Sequence, residues 1–425
     1  MKPVLAGFRA VFATVRSGLA RAALGAALWL AAGPAAAIDW SFKSFGTLAA
    51  IGTDSDNIGF RRDYTQSSGA TADWGYGTDS RLGLQLDADF NQEFHAAVQW
   101  LARNHAGNFF EQNLDWAFLR WRPREDLDLR LGRLGFDAFL LSDYRNVGYA
   151  YPWMRPPAEF YGPLFTYHFD GADIAKKFKL GEAYLTVKGY AGHSLDDTLA
   201  QQPGATVAPL EMALFGGNLV YECDNWRARL GYTHLTPLQN LPLRPLHAAL
   251  ENPQVQAAWP GAASVFDALA IEGRQLHFSA IGLAYDDGIW PVQAEAAYIS
   301  SNIAWLPDIA TAYLSAGRRL ERVTTYALFG LGQSLHYHVP VRQPLLQTPA
   351  LASLTNSVDR LLNSNGVDQL SASLGARWDV HENIALKAQW SHFWLGGNGT
   401  LYWLELKNPL PKQVNVWSFG VDFVF

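Results

Sequence analysis

The segment between Asp137 and Gly162 carries charged groups whose composition suits electrostatic rather than covalent chemistry. It reads DAFLLSDYRNVGYAYPWMRPPAEFYG, and three prolines restrict its backbone, so its charges can be held at fixed positions. Fixed charges beside a water-filled passage orient dipolar solutes and disfavour apolar ones. The candidate groups are the carboxylates of Asp137, Asp143 and Glu159 and the guanidinium groups of Arg145 and Arg155.

Arginines recur elsewhere at polar positions of alternating segments, where they would face the same side as the other polar residues. Acidic side chains on a loop that face arginines on the wall of a pore would set up an electric field across that pore. The candidate wall residues are Arg81, Arg120, Arg130, Arg229 and Arg377.

Covalent catalysis has little support in this sequence. Ser194 follows His193, but adjacent residues on a strand point to opposite faces, and no partner acid is identifiable. The motifs G-x-S-x-G and H-E-x-x-H are absent, and the 11 histidines are scattered. We therefore expect no enzymatic activity, no cofactor and no metal site.

The elements that position these charges alternate with a period of two. Residues 79–90 place Leu82, Leu84 and Leu86 on one parity, opposite Arg81, Gln85 and Asp87 on the other. Residues 226–234 and 369–380 repeat the pattern. Such runs are longer than typical soluble strands, and they match the ~9–11 residues with which a tilted strand crosses a bilayer.

The connections between these runs are alternately tight and longer. Seven tight polar turns are expected at 91–93, 123–126, 179–181, 223–225, 286–288, 317–319 and 381–383. Eight longer loops are expected around 54–77, 104–110, 136–163, 193–209, 236–272, 301–308, 337–366 and 395–412. The pattern predicts an all-β, antiparallel, up-and-down transmembrane barrel of about 16 strands, since such barrels have short turns at one end and long loops at the other.

The first 37 residues are predicted to be a secretory signal peptide. Lys2, Arg9, Arg16 and Arg21 precede an apolar stretch, and an A-x-A sequence ends at Ala37, the expected cleavage site. Removing those four basic residues from 33, against 39 acidic residues, leaves residues 38–425 with a net charge of −10. This charge argues against a nucleic-acid partner.

The last strand carries its aromatic residues on one parity and ends on the final residue of the sequence, through Trp417, Phe419, Phe423 and Phe425. A C-terminal amphipathic strand that ends in phenylalanine resembles the insertion signal of Gram-negative outer-membrane barrels. Phe419, Phe423 and Phe425 would form this signal, and the resemblance implies the barrel-assembly machinery, outer-membrane lipids and lipopolysaccharide as partners.

The whole of residues 38–425 resembles the general porins in architecture, and the VGYAYPW stretch resembles uncharacterised porin-like proteins. The resemblance implies a third loop, residues 136–163, that folds into the barrel and narrows the channel at mid-height. It also implies a homotrimer. The sequence departs from the enteric porins in two places: Glu159-Phe160-Tyr161-Gly162 only partly matches their acid-Phe-Gly-Gly turn, and the loop at 104–110 is too short for their intersubunit latch.

The sequence thus predicts a Gram-negative outer-membrane channel for passive diffusion of small hydrophilic solutes and ions. A channel specific for sugars or small organic ions is the alternative, because the third loop is rich in aromatic residues that could stack on sugar rings. A surface adhesin is a further alternative, through the loop at 236–272 and a short helix expected around Leu246–Gln256.

Overall fold

The computed structural model describes residues 38–105, 113–163, 166–199, 207–335, 338–346, 348–363, 365–404 and 406–425. The predicted signal peptide, with its cleavage site at Ala37, lies outside the described residues. So does most of the second loop, at 106–112.

Sixteen antiparallel strands form a closed barrel, as the sequence predicts. Each strand pairs with the next along the chain, and the last strand pairs with the first. The strands are β1 (Asp39–Thr53), β2 (Arg81–Asp89), β3 (Phe94–Arg103), β4 (Leu114–Arg124), β5 (Leu127–Gly135), β6 (His168–Leu180), β7 (Ala183–Leu199), β8 (Val207–Cys223), β9 (Trp226–Pro237), β10 (Leu276–Asp286), β11 (Pro291–Ser301), β12 (Asp308–Leu320), β13 (Val323–Leu335), β14 (Val367–His381), β15 (Ile384–Thr400) and β16 (Gln413–Val424).

The outward faces of the strands form an apolar surface, while the inward faces are largely polar and buried. On β13, Phe329 is 58% exposed on the outside, whereas Tyr326 and Leu328 are buried on the inside. Leu374 on β14 and Phe419 on β16 are exposed in the same way. Closure pairs the backbone groups of both edge strands, so this surface can contact hydrocarbon without leaving unpaired strand edges.

Six of the seven predicted tight turns overlap the observed ones, and the seventh prediction is wrong. Gly317–Arg319 lies within β12, where Gly317 pairs with Tyr326 and Arg318 with Thr325. The turn follows at Glu321 and Arg322, and Glu321 has a φ of 55°. Gly317 is therefore a strand residue, although glycine often marks a turn.

Several strands run beyond the predicted limits. β7 and β8 each contain 17 residues, so the expected loop at 193–209 shrinks to the connection between Leu199 and Val207. β15 likewise continues to Thr400, inside the expected loop at 395–412.

Most helices lie in the long loops. A single turn of 3₁₀ helix (Gly148–Ala150) and α1 (Ala158–Tyr161) belong to the third loop. The helix expected around Leu246–Gln256 is present as two helices separated at Asn252, whose side chain caps the second one. The loop helices are α2 (Arg244–Glu251), α3 (Pro253–Ala258), α4 (Ala262–Leu269) and α5 (Pro349–Asn363).

A short strand pair connects two loops at the long-loop end of the barrel. Two-residue strands pair the first loop with the last, Gly59–Phe60 with Trp403–Leu404.

Among the described residues, no helix is both long enough and apolar enough to cross a bilayer.

Candidate functional site: the barrel interior and the third loop

The third loop joins β5 to β6 and crosses the interior of the barrel. Leu140 N donates to Glu295 on β11 at 2.8 Å, Trp153 Nε1 donates to Ser315 Oγ on β12 at 2.7 Å, and Met154 N donates to Gln389 on β15 at 3.1 Å. These partners face inward from strands far around the wall from β5 and β6, so the loop lies within the lumen.

Aromatic packing holds one part of the loop against β10 and β12. The ring of Phe139 meets those of Phe160 and Phe278 edge-on, with centroids 5.6 and 5.1 Å apart, and Phe160 meets Tyr313 at 5.4 Å. The ring of Trp153 also packs edge-on against Tyr313. Edge-to-face pairs of this kind add to the stabilisation from apolar burial. This part of the lumen is therefore a packed core rather than water.

Cations of the wall bind the backbone of the loop. The Lys387 ammonium donates to the carbonyl oxygens of Gly148, Tyr151 and Trp153 at 2.6, 2.7 and 2.7 Å, and it lies 2.8 Å from Asp422. Three carbonyls around one buried cation fix the path of the loop.

Three of the predicted wall arginines act in the same way. Arg229 Nη2 donates to the Asp137 carbonyl at 2.9 Å. Arg81 Nε donates to the Asn146 carbonyl at 2.7 Å, and Arg377 Nη1 donates to the Tyr151 carbonyl at 3.3 Å and to that of Tyr149. The loop reaches further than the mid-height expected from the porin resemblance. Tyr149 Oη donates at 2.7 Å to the Glu382 carbonyl, in the tight turn between β14 and β15.

The carboxylates of the loop have contrasting partners. Asp137 pairs with Lys188 and Arg229; burial alone would raise the pKa of this carboxyl, but the two cations hold it well below its usual range. Glu159 instead accepts from Gln369 Nε2 at 2.7 Å, and no described cation lies within ion-pair distance. Burial raises the pKa of Glu159 above its ordinary value of 4.5.

Both arginines of the loop are buried and paired with the surrounding structure. Arg155 Nε donates to Asp79 at 2.7 Å, and its guanidinium lies 4.8 Å from the centre of the Phe60 ring. Arg145 Nη2 donates to the Tyr167 carbonyl at 2.6 Å and lies over the Tyr167 ring. These two side chains therefore help to hold the loop in place.

The interior divides into two regions. We call the inward faces of β9–β16 and β1, against which the loop packs, the packed sector. We call the inward faces of β4–β7 the open sector, because a polar cavity of about 190 Å³ remains there between wall and loop. The cavity is lined by Phe118, Arg120, Arg122, Asp128, Arg130, Asp143, Asp173, Ala175 and Lys188.

The cavity is lined by three of the predicted site residues, Arg120 and Arg130 on the wall and Asp143 on the loop, together with groups that sequence reasoning did not single out. Arg122 makes a bidentate pair with Asp128 at 2.8 and 3.1 Å, and Arg130 Nε lies 3.1 Å from both oxygens of Asp173. In the sequence, Arg122, Asp128, Arg130 and Asp173 stand at polar positions of alternating strands, and this pattern indicates that their side chains face inward. Nothing in the sequence distinguished them from the polar residues that the loop covers.

The aromatic residues of the predicted C-terminal signal lie on or near the outer surface. Phe419 is exposed and its ring lies 5.9 Å from that of Trp74 of the first loop. The rings of Phe423 and Phe425 are also 5.9 Å apart, and Phe425 is 65% exposed. The placement is what a lipid-facing aromatic row requires.

Comparison with known proteins shows the fold. No protein-family model and no curated protein sequence matches the chain. Among solved structures, the chain is similar to the outer-membrane channel DcaP of Acinetobacter baumannii (TM-score 0.52, 11% identity, 91% of this chain and 97% of that one). It is also similar to the anion-selective porin of Comamonas acidovorans (0.51, 12%, 91% and 100%) and to OmpF of Salmonella typhi (0.50, 9%, 91% and 97%). The chain therefore has the 16-stranded fold seen in Gram-negative outer-membrane porins.

Proposed function

We propose that this protein is a channel of the Gram-negative outer membrane through which small hydrophilic solutes and ions diffuse passively. The observation that carries the proposal is the combination of an apolar outer surface with a charged cavity on the inside. A barrel of this type places hydrocarbon outside and water inside.

Selection by size follows from how firmly the loop is held. Hydrogen bonds, the Lys387 clamp and the aromatic core fix the third loop against the packed sector, so solutes are left with the open sector. A solute there exchanges part of its hydration shell for contacts with fixed arginine and aspartate groups. Passage requires no covalent step, and we propose no enzymatic activity.

A substrate-specific channel remains the second candidate, and the small charged cavity supports it more than the aromatic residues do. Tyr151, Trp153, Phe160 and Tyr161 are buried against the wall. They do not line the cavity. A stacking path for sugars along these rings is therefore disfavoured. The helices in the long loops add no support for an adhesin beyond the sequence pattern.

The remaining assignments are also proposals. We infer cleavage of residues 1–37 after Ala37, insertion by the barrel-assembly machinery through Phe419, Phe423 and Phe425, and contact with phospholipid and lipopolysaccharide. A homotrimer is compatible with the fold, and crosslinking in native outer membranes would test it.

Liposome swelling tests the proposal. The refolded protein should admit small sugars and amino acids at rates that fall steeply with solute size. Ala175 lines the cavity, so Ala175→Trp should block entry. Ala372 has outward parity on β14, so Ala372→Trp, a change of equal size, should leave entry unchanged. A correctly folded wild-type barrel that admits no solute would refute the channel.

A further inference from the structure

Two histidines that are distant in the sequence stand side by side on the outer face of the barrel. The register between β9 and β10 sets His234 directly opposite His277, although 43 residues separate them along the chain. Both share the parity of exposed apolar residues on the same strands, Leu230 and Ile281. Both imidazoles therefore face outward, away from the lumen and the third loop.

The pair lies near the long-loop end of the barrel. His234 precedes the end of β9 at Pro237 by three residues, and His277 is the second residue of β10, which begins at Leu276. Both histidines are partly exposed. Near this end of a transmembrane barrel the lipid-facing surface meets water, so a hydrated ion can reach the two imidazoles.

The spacing of the two rings suits a shared metal ion better than a hydrogen bond. His234 Nδ1 and His277 Nδ1 are 3.4 Å apart, and the ring planes are inclined at 59°. Two imidazole nitrogens that bind one zinc ion tetrahedrally, each at about 2.0–2.1 Å, are themselves about 3.4 Å apart. Well-formed N–H hydrogen bonds are shorter, at about 2.7–3.2 Å between the heavy atoms.

Neighbouring side chains orient the two rings. Thr236 Oγ1 lies 3.1 Å from His234 Nε2, and this contact leaves the other ring nitrogen of His234 directed at His277. Metal-binding histidines commonly use their second nitrogen in this way. Tyr232 Oη lies 2.8 Å from His277 Nδ1. A bound ion would displace this hydrogen bond, and the phenol oxygen would then lie beside the ion.

We propose that His234 and His277 form a zinc-binding site on the outer surface of the barrel. Imidazole nitrogen is a preferred ligand of zinc, whereas Mg²⁺ and Ca²⁺ prefer oxygen. Within the part of the chain that the structure describes, no group of three or more His, Cys, Asp or Glu side chains is arranged to hold a metal, so water completes the coordination of this two-histidine site. The site lies outside the lumen, and the proposal goes beyond the channel function and does not depend on it.

Isothermal titration of the folded barrel in detergent with zinc chloride tests the site, in a Cys223→Ser background that removes the one cysteine. Loss of a group that merely orients a metal ligand weakens binding about 10–100-fold, so His234→Gln and His277→Gln should each weaken zinc binding at least about tenfold. His392→Gln is the matched control. His392 shares the outward parity of Trp390 but contacts Asn415 at 2.9 Å, and its loss should leave zinc binding unchanged.

A second measurement needs no variant to fold. Zinc should protect His234 and His277 of the wild type from diethyl pyrocarbonate, with the modified residues identified by mass spectrometry, and Mg²⁺ should protect neither. The site would be overturned by absence of zinc binding, by binding that survives both substitutions, by an equal loss in His392→Gln, or by protection of other histidines but not these two. A barrel that binds zinc here but admits no solute would instead overturn the channel and leave the site intact.

Discussion

The packed and open sectors have similar polar sequences and opposite environments. Thr311, Ser373 and Ser391 face inward in the packed sector and are at most 3% exposed. Thr311 Oγ1 donates to the Glu159 carbonyl of the third loop at 2.6 Å. Arg120 and Asp128 face inward in the open sector, and their side chains are each 30% exposed. The polar parity of a strand therefore shows which side chains point inward. The loop decides which of them contact water.

The charges differ between the sectors in the same way. Lys387 and Arg377 of the packed sector bind carbonyl oxygens of the loop as well as the wall carboxylates of Asp422 and Asp379. Arg122 and Arg130 of the open sector bind wall carboxylates and no described carbonyl of the loop. Substitutions in the packed sector should consequently change stability, and substitutions in the open sector should change transport.

The largest effect is expected from Lys387→Met, which removes the clamp from three carbonyls and leaves Asp422 buried and unpaired. Loss of one partner of a buried ion pair costs about 3–5 kcal/mol. Urea unfolding in detergent would measure this loss of stability. Adding Asp422→Asn to the variant should recover part of the lost free energy of unfolding. Lys179→Met, at an exposed strand end, is the control and should change stability by less than about 0.5 kcal/mol. A Lys387→Met barrel as stable as the wild type would contradict the clamp.

Trp153→Phe should have a smaller effect in the same sector. The substitution keeps most of the ring packing on Tyr313 but removes the donor to Ser315 Oγ. An unsatisfied buried hydroxyl costs about 1–3 kcal/mol. Trp290→Phe, at an exposed turn, should leave the unfolding midpoint unchanged. If both substitutions had equal effects, the loop would not be packed as described.

Glu159 makes the packed sector sensitive to pH. Burial raises its pKa above 4.5, so the protonated form is favoured while the loop is seated. Its contribution is fully present below about pH 4.5 and is lost as the pH rises through the raised pKa. Melting temperatures at acidic and neutral pH should therefore differ less in Glu159→Gln than in the wild type. Identical pH dependence in the two proteins would remove Glu159 from this role.

Arg122→Gln should have the smallest effect on stability, because the Arg122–Asp128 pair is partly exposed and such pairs contribute less than about 1 kcal/mol. The cavity loses one positive charge, so reversal potentials in planar bilayers should shift toward cation preference. Arg124→Gln, at the neighbouring exposed turn, should produce no shift. A strong loss of stability with unchanged selectivity would mean that the two sectors are not distinct in function.

The sequence predicted the barrel well because a period of two is a local property. It placed Arg81, Arg229 and Arg377 on inward positions, and all three face the interior. The alternation is interrupted at one bulge. β4 alternates poorly because Asp115 is an extra residue between the pairs Gln99–Trp116 and Trp100–Leu114.

The site was less predictable because its contacts join distant parts of the chain. Nothing near Lys387 in the sequence indicates that its ammonium meets carbonyls more than 230 residues away. The pairing of Arg130 with Asp173, 43 residues away, likewise depends on the register between β5 and β6.

Cysteine accessibility tests the division of the interior most directly. In a Cys223→Ser background, Ala175→Cys places a thiol in the open-sector cavity, and Ser373→Cys places one at a buried position of the packed sector. A charged methanethiosulfonate reagent should lower the single-channel current of the Ala175→Cys protein and leave that of Ser373→Cys unchanged. Block at residue 373 together with no block at residue 175 would contradict the account.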